Sequence, residues 1–126
     1  MPAEYTFPAL PQNNAGFIVW ELPTYASRDE VTIAAGAGIL KAGTFLGTVT
    51  ATSEYKAYTP GATDGTQTCT AVLYEDTDAS VAAVKRTVLN WTCLLHRAEC
   101  VFAGNPTTPE KNAAYASLRT LGVKMR

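Results

Sequence analysis

Ser27–Ala51, SRDEVTIAAGAGILKAGTFLGTVTA, decides the fold: it sets apolar residues and glycines in a β pattern with no catalytic motif among them. Val31, Ile33 and Ala35 alternate with Thr32 and Ala34. After the break at Gly36-Ala37-Gly38 the apolar residues resume at Ile39, Leu40, Phe45, Leu46 and Val49. Apolar and β-branched residues at period two suit a half-buried strand. Gly43 and Gly47 mark places where a compact β fold turns or lets two backbones approach, because glycine alone takes positive φ at no steric cost. Lys41-Ala42-Gly43-Thr44 reads as a hairpin tip. The segment describes a scaffold.

Working outward, Tyr55–Tyr58 reads as a strand end that runs through Pro60-Gly61 into an Asp64-Gly65 turn. Thr66–Tyr74 is the next strand, with Thr68, Thr70, Val72 and Tyr74 on one face and Cys69, Ala71 and Leu73 on the other. Glu75, Asp76 and Asp78 read as a solvated loop, since the spacing of a calcium loop is absent. Thr87–Phe102 reads as one strand or two, interrupted at Asn90 or at His96-Arg97, with helix as the competing reading; its apolar residues separate at neither period. The one clear helix spans about 108–121. Thr107 and Glu110 form a capping box, Pro109 sits in the first turn, and Gly122 ends it, with Val123–Arg126 as a possible last strand.

The chain of 126 residues fits one domain. Residues 1–22 read as an extended arm and 23–126 as a single β-rich domain. Pro2, Pro8 and Pro11 block helix in the arm, while Tyr5, Phe7 and Leu10 supply apolar side chains that are either packed along the chain's own domain or reserved for a partner. Phe17-Ile18-Val19-Trp20 with Leu22 is a run of strand length that belongs either to the arm or to the core. The fold class is therefore mainly β with one C-terminal helix (α+β), a small β-clip or β-tulip-like barrel with an extended N-terminal arm.

Composition excludes several functions. Charged residues are only 17% of the chain and the net charge is −1, with no basic cluster beyond Lys85-Arg86 and the terminal Lys124-Met125-Arg126, so nucleic acid is not an expected partner. No apolar run approaches the roughly 18 residues that span a bilayer, and no export signal opens the chain, so no membrane role is expected and synthesis is placed in the cytosol. Cys69, Cys93 and Cys100 are odd in number and read as reduced, mostly buried thiols. Cys93 and His96 have CxxH spacing without two further ligands, so no metal is expected. His96, the single histidine, reads as a hydrogen-bonded structural residue; neither it nor a cysteine makes a credible nucleophile–base pair at these spacings. Gly36-Ala37-Gly38 lacks the third glycine of a dinucleotide fingerprint and the lysine of a P-loop. Lys41 at a hairpin tip would suit a biotinyl or lipoyl carrier, yet its neighbours Leu40 and Ala42 do not. No enzyme, cofactor or metal emerges.

Ser27–Ala34, Leu40–Gly47, Tyr55–Tyr58, Asp64–Gln67 and Ala71–Asp76, taken in order with the helix ending in Leu121-Gly122-Val123, resemble the lambda-type bacteriophage head decoration protein, gpD. The resemblance covers about residues 15–126. It implies a phage capsid decoration (cement) protein of the virion exterior, made in the host cytoplasm: a homotrimer that binds the expanded head at three-fold sites and stabilises it against DNA pressure. It also implies that the N-terminal arm adds strands to the major capsid protein. On that basis Tyr5, Phe7, Leu10, Phe17, Ile18, Val19 and Trp20 are the expected capsid contacts. The alternative is a stand-alone β-clip or SAF-like domain that binds a small ligand or serves an enzyme.

Overall fold

Consecutive residues of β6 (Cys69–Leu73) are buried on opposite faces, and this organises the molecule. Val72 enters one apolar cluster, while Ala71 and Leu73 enter another. The computed structural model describes residues 17–21 and 27–126. Among these the order is β1 (Ile18–Glu21), β2 (Arg28–Ile33), β3 (Gly38–Leu40), β4 (Phe45–Thr48), β5 (Tyr55–Ala57), β6, β7 (Thr77–Ala79), β8 (Val84–Leu89), β9 (Cys93–Leu95), α1 (Thr108–Thr120) and β10 (Val123–Met125). The protein is mostly β with a single C-terminal helix, as its sequence pattern implies.

Five strands close into a barrel in the order β2-β5-β4-β6-β8, and β8 returns to β2 along its whole length from Arg28↔Leu89 to Ile33↔Val84. The barrel interior is Ile33, Leu46, Ala71, Leu73 and Val88, joined by Leu40 and Ala79 from the two-stranded ribbon of β3 and β7. The outer faces of the same wall carry Phe45, Val72 and Leu89 into the second cluster. There Ala114 and Leu118 of α1, Cys93 and Leu95 of β9, Val123 of β10, and Phe17 cover them. Phe45 stacks on Phe102 at 4.3 Å between ring centroids, and Tyr115 meets both rings at 5.9 Å. A strand buried on both faces reads as a continuous apolar run, as β6 does over Ala71–Leu73 and β8 only at Val88-Leu89, after Lys85-Arg86-Thr87.

Two glycines work in different ways. Gly47 lies on β4 where a Cβ would come within 2.7 Å of Thr66 Cα and 2.9 Å of Thr68 O, so it admits a crossing backbone. Gly43 takes φ +87° in the turn closed by Thr44 N–H on Lys41 O at 3.1 Å. That turn is not a hairpin tip. β3 pairs with β7 in the ribbon and β4 with β5 and β6 in the barrel, so Lys41–Thr44 is a corner between sheets.

Two further expectations change, and an open one is resolved. The acidic run after β6 is not simply a loop, because Thr77–Ala79 is β7, with Thr77 and Ala79 buried and Asp78 outward. Thr87–Phe102 breaks at both suspected points: β8 ends at Leu89, β9 at Leu95, and Arg97–Glu99 is a 3-10 turn. The strand expected from Thr66 begins at Cys69, since Thr66 and Gly65 are held in the preceding loop by the Asp64 and Gln67 side chains. The helix carries its capping box, with Thr107 N–H donating to Glu110 Oε1 at 2.7 Å, and Gly122 follows it at φ +87°.

Candidate docking surface

β1, β9 and β10 form a separate three-stranded sheet in which β9 is central, antiparallel to β1 and parallel to β10. β1 therefore has a partner on one side only among the described residues. An edge strand presents unpaired N–H and C=O groups, the template a further strand would use. Val123 and Cys93 are register partners and both are buried, as is Leu95; Leu94, between them, turns the other way. Its partners are Trp20 on β1 and Lys124 on β10, so Trp20, Leu94 and Lys124 cross the outer face as one row. Trp20 is 50% exposed and Val19 52%.

Phe17 fixes the entry to this edge. Its side chain is 2% exposed in the cluster beneath the helix, and its carbonyl accepts the His96 N–H at 2.7 Å. Ile18 packs half-buried against the same cluster. A register shift between Ile18 and Trp20 then bends the strand. The seven residues proposed from sequence thus divide into three groups. Phe17 and Ile18 face the core, Val19 and Trp20 face outward, and Tyr5, Phe7 and Leu10 lie outside the described residues. Ile18–Glu21 is a strand of the folded body's sheet. Leu94 and Lys124 belong to the row and were not anticipated, because three-residue strands give too little alternation to read a face.

The ionisable groups nearby offer little chemistry. Burial pushes the Cys69 and Cys100 thiols up to about 12, far from the thiolate range. The Cys100 Sγ donates to the His96 carbonyl at 3.5 Å, while the imidazole itself is exposed. The expected structural hydrogen bonds of His96 are made by its backbone, with Glu99 N–H donating to the His96 carbonyl at 3.0 Å. Burial also raises Tyr58 and Tyr115; the Tyr58 hydroxyl donates to the Glu110 carbonyl at 2.9 Å and ties the barrel to α1. Among the described residues no group of three His, Cys, Asp or Glu side chains could hold a metal ion, and no helix is long and apolar enough to cross a membrane. Lys41 is exposed, at the corner between β3 and β4.

A closed barrel braced by one helix, beside a small sheet whose β1 has one partner among the described residues and carries an exposed tryptophan, defines a small β-rich protein with one C-terminal helix. Residues 9–123 match the family model of the bacteriophage lambda head decoration protein D, and the chain belongs to that family. No curated protein matches the chain. The family is structural and non-enzymatic, and its members act on the phage head, which places the chain on the virion capsid.

Proposed function

We propose that this protein decorates the outside of an expanded phage head as a homotrimer seated at three-fold sites, cementing neighbouring capsomers against the pressure of packaged DNA. Residues before Phe17 act as an arm that adds a strand to the major capsid protein, and Val19 and Trp20 contact the shell where the arm leaves the body. The observation that carries this reading is the edge position of β1, whose outward side chains Val19 and Trp20 are half exposed and whose root, Phe17, is anchored in the core. Force applied through the arm is delivered to a rigid point. No reaction is involved.

Strand addition draws affinity from backbone hydrogen bonds, and ordering a segment on binding costs about 2 to 5 kcal/mol, so one arm binds weakly. Three arms on one trimer act together. With an effective concentration of ~1 mM and a per-arm dissociation constant of ~10 μM, each added arm strengthens binding about a hundredfold. Trimerisation is therefore part of the mechanism.

Removal of residues 2–16 tests the reading. The truncated protein, 15 residues shorter than the 13.4 kDa chain, is expected to remain a trimer, of about 35 kDa, and to lose binding to expanded shells in a sedimentation assay. Undiminished binding by the truncation would overturn the arm. A stable monomer of the full chain would instead favour a stand-alone β-clip domain.

A further inference from the structure

The ribbon of β3 and β7 presents a knob that nothing in the described residues covers. Leu40, Thr77 and Ala79 point inward, and the alternate positions Ile39 and Asp78 are register partners on the outer face. Ile39 is 76% exposed and Val81, two residues beyond the strand, 93%. Of the two most exposed large apolar side chains among the described residues, Ile39 thus sits on this ribbon beside a carboxylate and Val81 just beyond its end. The Asp78 carboxylate is held by the Ser80 N–H and hydroxyl, which keep it below the ordinary carboxylate range. It is a fixed negative charge. Glu75 and Asp76 lie just before it in the chain.

The other side of the molecule carries the inverse. α1 and β10 cover the outer wall of the barrel, whereas the ribbon feeds its interior. A cleft of about 230 Å³ opens between α1, β10 and the 3-10 turn. Tyr115, Ala116, Val123 and Met125 line it, with Arg97 and Arg119 also at its wall and no carboxylate side chain among the lining residues. Arg97 lies over the Tyr115 ring at 5.4 Å, so its guanidinium is held in place. From Arg97 onward the chain has five basic residues against Glu99 and Glu110 only.

A cyclic trimer is built from heterologous contacts, in which one patch of each copy meets a different patch of the next. The knob is an aliphatic side chain flanked by a carboxylate, and the cleft is a mainly polar hollow, lined by Asn112 and Tyr115 with Ala116 and Met125, between two guanidinium groups. Charge complementarity of this kind fixes register and excludes wrong partners. We infer that the Ile39/Asp78 ribbon of one copy seats in the Arg97/Arg119 cleft of the next, making these two patches the seam of the trimer. The inference rests on the homotrimer reading above and names the surfaces that would make it.

Charge reversal tests it. Light scattering is run on the full-length wild type, Asp78→Arg, the pair Arg97→Asp with Arg119→Asp, and the triple variant, with circular dichroism as the check of fold. All three residues are exposed, so folded variants are expected. Each reversal places like charges together and should raise the trimer dissociation constant about a hundredfold, and the triple variant should recover most of the loss. Trimers that survive both reversals unchanged overturn the seam and leave the trimer reading standing, as does a triple variant with no recovery. Arginine variants that stay trimeric but fail to bind shells assign the cleft to the capsid and also overturn it. A monomeric wild type overturns the trimer itself.

Discussion

The barrel and the three-stranded sheet solve the edge problem in opposite ways. In the barrel every strand has two neighbours, although β2 meets β5 only at Ile33↔Tyr55, and the wall around β4 and β6 is packed on both sides. In the sheet β1 has one neighbour among the described residues, the strands are three or four residues long, and Trp20 and Val19 remain half exposed. The first arrangement maximises internal burial. The second leaves hydrogen-bonding groups and apolar area for another chain, and it does so on a strand rooted in the core by Phe17. The proposed cementing role uses both: a closed body, and an edge that an added strand would complete.

Phe17 and Trp20, three residues apart, test this contrast most directly. Phe17→Ala removes a fully packed ring and should cost about 3 to 5 kcal/mol of stability. Trp20→Ala should leave stability within about 0.5 kcal/mol while weakening attachment to shells. Denaturant unfolding and shell sedimentation on the two variants separate packing from docking; equal effects on both measurements would merge them. Next in size is Gly47→Ala. Its Cβ would meet only backbone, at 2.7 to 2.9 Å, so neither neighbour gives way by rotating a side chain. A loss of about 2 to 3 kcal/mol is expected, with β4 and the Thr66–Thr68 loop forced apart, and a stability unchanged from wild type would show the crossing to be looser than described.

Much of this was legible in the residues. The capping box at Thr107 and Glu110 and the glycine after Leu121 each depend on chemistry within a few positions, and each is present in the fold. The alternation expected over Val31–Ala35 is not: Val31 and Thr32 are both half-buried, β2 ends at Ile33, and Ala34 rather than Ala35 is buried. What failed to read was pairing at a distance. Lys41–Thr44 has the composition of a hairpin tip, yet whether its flanking strands pair depends on β7, more than 30 residues away. The Thr87–Phe102 run was ambiguous because β8 sends Val88 into the barrel and Leu89 toward the helix, erasing the polar positions that mark a face. The docking row was partly visible. Trp20 stood out as an apolar residue near the arm, but only the register of β9 against both neighbours brings Leu94 and Lys124 beside it.

The Thr107 cap belongs to the closed body, and Thr107→Ala should cost about 1 kcal/mol in unfolding experiments with no change in shell binding. The smallest expected effect is one of pH, in the loop that Gly47 lets close. Asp64 Oδ1 accepts the Thr66 N–H at 3.1 Å and the Thr66 hydroxyl at 2.6 Å, and these bonds to the charged form hold the carboxyl below its ordinary value of 3.8. A carboxylate whose folded pKa is depressed contributes stability that is fully present above the unfolded value. That contribution is lost as pH falls through the folded one. Thermal unfolding between pH 6 and pH 2 should therefore show the wild type losing more stability below about pH 4 than Asp64→Asn, whose amide oxygen accepts the same bonds without titrating. Because Asp64 is fully exposed the difference is small, and it belongs to the body alone: shell binding at neutral pH should be identical for the two proteins. A binding defect in Asp64→Asn at pH 7 would mean that this loop touches the capsid and that the docking face extends beyond the edge sheet.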